Sequence, residues 1–171
     1  MTQIVGDDAH IVPPLTPTIR RANPRHLDEI TRIEQENFPS PCWSRTLIEA
    51  KIHDPQVRFL VCAGDDGNRP AILGYAVLQR IPPEAELLNI AVDRPAQRQG
   101  IARALLIHLM EAARAEGITT IHLEARAGNT PALALYHSLG FEVTGRRRGY
   151  YQNPVEDAVL MAICDLGAEK L

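Results

Sequence analysis

The stretch Gln97-Arg98-Gln99-Gly100-Ile101-Ala102-Arg103-Ala104 places two arginines and a glycine at the start of a long amphipathic segment. Between Pro95 and Ala102 no Ser, Thr, Asp or Asn offers a side-chain oxygen to the first free backbone N–H groups, and Asp93 is the only nearby candidate. Uncapped donors, the positive end of a helix dipole and a glycine that admits close backbone approach together make an anion seat. A pyrophosphate suits it, with Arg98, Arg103 and the amides of Gln99–Ala104 as partners. For Arg103 a plain solvated side chain is the rival reading. A nucleotide P-loop is disfavoured, because Gly-x-x-x-x-Gly-Lys does not occur in the chain.

Several elements must hold this seat. The apolar run Leu87-Leu88-Asn89-Ile90-Ala91-Val92 reads as part of a strand over Glu84–Val92, and the helix after it runs from near Gln99 to Glu116, stopped by Gly117. Upstream, Thr18–Arg21 reads as a short strand. Leu27, Ile30 and Ile33 recur at helical spacing within Pro24–Glu36, with Asn23 as N-cap and Pro24 in the first turn. Phe38-Pro39-Ser40-Pro41-Cys42-Trp43 breaks that helix, and Ser44 caps a second one reaching His53. Gln56–Ala63 and Ala71–Arg80 read as strands around the turn Asp65-Asp66-Gly67-Asn68. Over Thr119–Ala125, apolar Ile121, Leu123 and Ala125 alternate with His122, Glu124 and Arg126. Asn129–Leu139 is the last helix, closed by Gly140. Phe141–Tyr151 and Val155–Cys164 complete a mixed sheet in one α+β domain. We expect an extension over residues 1–17, the domain over 18–165 and a tail over 166–171.

Composition narrows the classes. At 171 residues, 45% of them hydrophobic, the chain suits one domain with a real core. A net charge of −3 gives no pull toward bulk nucleic acid, so any RNA contact must be local. Arg146, Arg147 and Arg148 offer such a contact or simply line a solvated strand end. Cys42, Cys62 and Cys164 form no Cys-x-x-Cys pair, which argues for reduced thiols in a cytoplasmic protein. The six histidines form no metal-binding spacing, and we expect no metal. No apolar run approaches the ~20 residues of a membrane span, and the N-terminus lacks a secretory signal pattern.

The helix start at Gln97–Ala102 resembles the acyl-CoA-binding motif of the GNAT acetyltransferases, Arg/Gln-x-x-Gly-x-Gly/Ala, with Gly100 and Ala102 at its small positions. The likeness continues through Leu123-Glu124-Ala125-Arg126, Asn129, Ala132-Leu133-Ala134-Leu135-Tyr136 and Leu139-Gly140-Phe141, then Arg147-Arg148-Gly149-Tyr150-Tyr151 and Glu156-Asp157-Ala158. Within the superfamily it is most similar to the RimI family of ribosomal-protein alanine N-acetyltransferases, and it runs from about Ile19 to Ile163.

The resemblance implies a fold in which a mixed, mostly antiparallel sheet is flanked by helices on both faces. The strand at Asn89–Val92 splays from the one at Ile121–Ala125 and holds acyl-CoA. Ile90, Ala91 and Val92 pair with the pantetheine arm, and the N–H near Ala91 or Val92 donates to the thioester oxygen. Taken alone, Leu88, Ile90 and Val92 are plain strand core. Glu124 becomes the general base, although by itself a Glu on the polar side of a strand is usually solvated. Since a free Glu titrates near 4.3, that role asks for partial burial. Tyr136 becomes the general acid for the CoA thiolate and a cofactor contact. A core tyrosine on the same helix face as Leu133 and Leu139 is the bland alternative, and the two are compatible. Asn129 caps its helix and contacts the CoA arm. Tyr150, Tyr151, Phe38 and Trp43 wall the acceptor groove. Relatives usually read Phe-Pro-Trp-Ser there, whereas this chain inserts Ser40-Pro41-Cys42 before Trp43, which bears directly on acceptor preference. No cysteine falls on a matched catalytic position.

The implied activity is acetyl transfer from acetyl-CoA to the α-amine of a protein N-terminus, by resemblance the alanine of small-subunit ribosomal protein eighteen. Alternatives are acetylation of a protein lysine or a small amine, or an acyl-CoA-binding module without catalysis. The expected protein is a monomer or weak dimer that binds neither membrane nor bulk nucleic acid.

Overall fold

The computed structural model describes residues 17–38, 41–65 and 70–166. Seven strands, β1 (Thr18–Arg21), β2 (Val57–Asp65), β3 (Pro70–Ile81), β4 (Glu84–Val92), β5 (Thr120–Arg126), β6 (Glu142–Tyr151) and β7 (Glu156–Ile163), form one sheet in the order β1-β2-β3-β4-β5-β7-β6. All neighbours are antiparallel except the parallel pair β4–β5. Four helices join them: α1 (Leu27–Asn37), α2 (Arg45–His53), α3 (Ile101–Ala115) and α4 (Thr130–Ser138). The expected α+β class and most of the expected elements are present. Most of the expected extension, most of the expected turn at Asp65-Asp66-Gly67-Asn68 and nearly all of the expected tail lie outside the described residues.

Two cores sandwich the sheet. On one face Leu27, Ile30 and Ile33 of α1 and Ile48 of α2 pack on Phe59, Val61, Tyr75 and Val77. On the other, Leu105, Leu106 and Leu109 of α3 pack on Leu78, Leu87 and Leu123, with Tyr136 and Phe141 at one end. Each such side chain contributes about 1.5–3 kcal/mol by leaving water. Covered on both faces, β3 is a nearly unbroken buried run from Ala71 to Leu78, whereas β5 buries Ile121, Leu123 and Ala125 and leaves its alternate residues less covered. Helices α1 and α2 pack against β2, β3 and β4. The β5 face carrying His122 and Glu124 lies beside that layer.

Local boundaries shift for physical reasons. The first turn before α1 is a 3-10 turn, Pro24–His26, capped by Asn23. α3 starts at Ile101 rather than Gln99, because Arg98 and Gly100 take left-handed φ values of 65° and 81°. Ser44 caps α2 as expected, accepting from the N–H of Leu47 at 3.2 Å.

Candidate active site

The site begins with a defect in β4. Val77 pairs with Asn89 but Leu78 pairs with Leu87, so Leu88 is an extra residue in β4. Such a bulge bends its strand and strengthens the local twist. Beyond it β4 leaves β5: their pairing runs from Glu84–Thr120 to Leu87–Leu123 and then stops. Ile90–Val92 and Glu124–Arg126 thus diverge, leaving a gap between the two strands. β5 is still paired on its other edge, where Glu124 sits opposite Leu160 of β7.

Strand alternation decides which groups line this gap. The N–H of Asp93 donates to Leu73 O at 2.8 Å, which turns the Asp93 and Ala91 backbones toward β3 and those of Ile90 and Val92 toward the gap. Of the two N–H donors suggested by sequence, Val92 therefore faces the gap and Ala91 faces its β3 partner, Tyr75. Ala91 is 6% exposed and its side chain is core.

At the far end of β4 a short turn, Arg94–Ala96, leads to α3. Gly100 is the N-cap and no side chain caps the helix, as the sequence suggested. Asp93 is not available: both its oxygens accept from Arg32, at 2.9 Å each. A Cβ built on Gly100 would meet nothing within 4 Å. Of the amides expected to hold an anion, that of Ala104 is taken, donating to Gly100 O at 3.0 Å, while those of Ile101, Ala102 and Arg103 have no intrahelical partner, which fits an anion beside the open space at Gly100. Arg98 is exposed, while Arg103 reaches α4 and donates to Ser138 Oγ at 2.8 Å. Ile101 is buried core, and Ala102 and Ala104 are half-buried on the same turn.

Glu124 and Tyr136 belong to opposite layers. Glu124 is 21% exposed, and its Oε1 accepts from Arg147 Nη1 at 2.8 Å. Beside it opens a cavity of about 220 Å³ bordered by Glu86, His122, Thr144 and Arg147. The carboxylate is thus partly buried and has a cationic partner that sequence did not suggest. Tyr136 sits on α4 in the other core, its ring centroid 5.9 Å from that of Phe141. Burial, and then the neighbouring Tyr151, pushes its phenol up to about 12, so it is neutral at physiological pH. Asn129 caps α4, accepting from the N–H of Ala132 at 3.3 Å, which accounts for its position without a ligand.

The expected acceptor wall is partly gathered. Tyr150 and Tyr151 meet edge to face at 5.1 Å, under Arg147 and Arg126 respectively. Burial and then the charge of Glu124 raise Tyr151, placing it electrostatically between the two candidate catalytic groups. Phe38 and Trp43 are half-buried against the α1–α2 core; Pro39 and Ser40 lie outside the described residues.

Sequence reading missed a set of polar groups beneath the bulge. Glu34, 1% exposed, accepts from Tyr75 Oη, from Asn89 Nδ2 at 2.9 Å and from the N–H of Trp43 at 2.8 Å. A signal was available, since Glu34 follows Ile30 by four residues and Leu27 by seven, on the apolar stripe of α1. Asn37 was missed as well, and Gln97 was read only as the start of the motif: both donate to Val92 O at 3.2 Å and so tie α1 to the loop before α3. Among the described residues no group of three or more metal-binding side chains occurs, and no helix is long and apolar enough to cross a membrane.

Known proteins resemble this chain in sequence and fold. The Acetyltransferase (GNAT) family matches residues 27–141. The [ribosomal protein bS18]-alanine N-acetyltransferase of Escherichia coli (strain K12) is 48% identical over 148 residues, covering 85% of this chain and 96% of that protein. The N-alpha-acetyltransferase RimI of Mycobacterium tuberculosis is 38% identical over 120 residues, 70% of this chain and 73% of that one. The crystal structure of the ribosomal-protein-S18-alanine N-acetyltransferase from Escherichia coli superposes with a TM-score of 0.78, at 35% identity, over 91% of this chain and 97% of that one. With the interrupted β4–β5 pair and the uncapped start of α3 in place, the chain belongs to the GNAT family of acetyltransferases.

Proposed function

We propose that this protein transfers the acetyl group of acetyl-CoA to the free α-amine of a protein N-terminus, with the N-terminal alanine of ribosomal protein bS18 as its acceptor. The observation that carries the reading is the gap between β4 and β5, with backbone groups of Ile90 and Val92 on its edge and the open start of α3 at its end. An extended thioester carrying a pyrophosphate matches both parts. The bS18 acceptor comes from the likeness to the Escherichia coli enzyme.

In this reading the amides of Gln99–Arg103, with Arg98, hold the pyrophosphate, that of Ala104 being taken by Gly100 O, and Arg103 lies against the arm from α3. The Val92 N–H donates to the thioester oxygen as negative charge develops there; loss of one such donor typically costs about 2.7–4 kcal/mol. Glu124, from the acceptor side of the sheet, takes the proton of the attacking amine directly or through one water. Tyr136, from the other side, donates to the departing sulfur. Tyr150, Tyr151, Phe38 and Trp43 receive the acceptor's first residues. We place the enzyme in the cytoplasm as a monomer or weak dimer.

Chemistry favours an α-amine over a lysine. The two reference values, about 7.7–8.0 and about 10.4, make deprotonating lysine roughly 3 kcal/mol harder for a single carboxylate base. Two peptides at equal concentration test this: one begins with a free alanine, the other is blocked at its N-terminus and carries a lysine. Fragmentation should map the acetyl group to the α-amine of the first. Preferential lysine acetylation would overturn the acceptor assignment, and failure to acetylate either would leave a small-amine acetyltransferase or an acyl-CoA-binding module.

A further inference from the structure

Four main-chain groups of Ile90 and Val92 face the gap, and two of them are already taken. The N–H of Ile90 donates to Asn89 Oδ1 at 2.9 Å. At the other end, Val92 O accepts from Asn37 and Gln97, each at 3.2 Å. Ile90 O and the Val92 N–H, in the middle, make no hydrogen bond to a side chain among the described residues. An extended ligand laid along β4 therefore finds one acceptor and one donor, and one register that uses both.

Asn89 holds this arrangement because its carboxamide can point only one way. Its Nδ2 donates to Glu34 Oε2 at 2.9 Å and lies 3.3 Å from Tyr75 Oη. Glu34 and Tyr75 are 1% and 0% exposed, so solvent does not compete. A carboxylate only accepts, which fixes the NH2 toward Glu34 and the oxygen toward Ile90. Because Glu34 Oε1 also takes the Trp43 N–H at 2.8 Å, the same carboxylate ties β4 to the acceptor wall.

We propose that Asn89, held by Glu34 and Tyr75, is a positioning residue that fixes the register of the acyl-CoA arm on β4 by occupying the Ile90 N–H. The inference rests on the acetyl-CoA function proposed above. Slipping the thioester oxygen from the Val92 N–H to the Ile90 N–H is a two-residue move, roughly 6–7 Å along the strand. That is far beyond the ~1 Å misplacement that already costs about 10²-fold in rate.

Asn89→Leu keeps the shape of the side chain and releases the Ile90 N–H. Acetyl-CoA carrying ¹³C at its carbonyl is first bound to the unaltered protein by calorimetry, then followed by isotope-edited infrared spectroscopy. We expect one red-shifted carbonyl band in the unaltered protein and a second band in Asn89→Leu. The variant's kcat should fall to the share of the arm left in the first band, about tenfold where the second band dominates, while the KM for acceptor changes by less than about fivefold. Should Asn89→Leu not fold, Asn89→Asp and the exchange Glu34→Gln with Asn89→Asp carry the test. The single change sets two carboxylates against each other, and the exchange restores an amide–carboxylate pair, so kcat and the single band should return at least in part. A single unchanged band with kcat within about threefold in Asn89→Leu, or no recovery in the exchange, would overturn the inference alone. No acetyl-CoA binding by the unaltered protein would overturn it together with the function beneath it.

Discussion

Strand β4 has two edges built to opposite ends. Toward β3 it pairs along its length, from Glu84 opposite Ile81 to Val92 opposite Gly74, interrupted only by the bulge at Leu88. Contact is so close there that a Cβ on Gly74 would lie 2.8 Å from Ala91 O. Toward β5 the pairing stops after Leu87, and the remaining backbone turns to side chains or to open space. One strand thus keeps its cohesion on one side and its reactivity on the other. The bulge separates the two by bending the second half of β4 away from β5 while β3 still holds it.

Changes on the open edge should remove function and spare stability, and changes on the closed edge should do the reverse. The largest effect is expected at the end of the open edge. Gly100→Glu sets a carboxylate beside the proposed pyrophosphate, and juxtaposed like charges cost several kcal/mol, so acetyl-CoA affinity should fall about 10³-fold or more. Gly100→Ala is its control. The space is empty, and only the φ of 81° resists, at about 1–2 kcal/mol of stability. Calorimetry and thermal melting of both variants separate charge from strain. Retained affinity in the glutamate variant would remove the anion seat.

Glu124→Gln comes next. Its carboxylate contacts Arg147 at the rim of the cavity rather than the core, so the fold should survive. Turnover with a saturating acceptor peptide should fall by about 10²–10⁴, the usual reach of general base catalysis, at nearly unchanged acetyl-CoA affinity. A near-normal rate would pass the proton to another group and place Glu124 among the groups that merely position Arg147.

On the closed edge, Gly74→Ala should behave in the opposite sense. Its Cβ would meet Ala91 O at 2.8 Å and Ile101 Cγ2 at 3.3 Å, an overpacking that typically costs about 1–3 kcal/mol. Urea denaturation should show a lower midpoint with the same slope, while turnover of the folded fraction stays within a few-fold. Should turnover collapse without loss of stability, the two edges are not separable and the comparison fails.

The sequence shows one of these edges better than the other. Periodicity exposes β5, because Ile121, Leu123 and Ala125 bury one face, and the uncapped start of α3, because the missing side chains can be read directly. The bulge is invisible: Leu87-Leu88-Asn89-Ile90 is as strand-like as any run in the chain, and only the register against β3 shows that Leu88 is extra. The gap was expected from family likeness alone. Neither the insertion of β7 between β5 and β6 nor the partners of Glu34 can be read locally, since both depend on contacts between distant segments. Arg147 was noticed as one of three arginines and within the family likeness, not as a partner of Glu124, because that pairing spans two strands that are not themselves adjacent.

The smallest expected effect tests the layer across the sheet from Glu124. Tyr136 is held neutral up to about 12, chiefly by burial. An ordinary thiol titrates near 8.5, so handing the proton fully to a departing thiolate would be uphill by about 5 kcal/mol at about 1.36 kcal/mol per unit. The phenol therefore serves the sulfur as a hydrogen-bond donor, not as a strong acid. A hydrogen bond of this kind contributes about 1.5 kcal/mol, and Tyr136→Phe should slow turnover only about tenfold. Its pH–rate profile should run parallel to that of the unaltered protein up to pH 10, because no tyrosinate forms at this site in that range. Stability has the matching sign. The folded value lies above the unfolded reference of about 10, so the neutral phenol favours the fold below pH 10, and that contribution is lost as the pH rises through about 12. Tyr136→Phe should flatten this alkaline loss in denaturation curves. A falling limb near pH 9 that disappears in the phenylalanine variant would mean that Tyr136 ionises during the reaction, and would return to it the full role of proton donor.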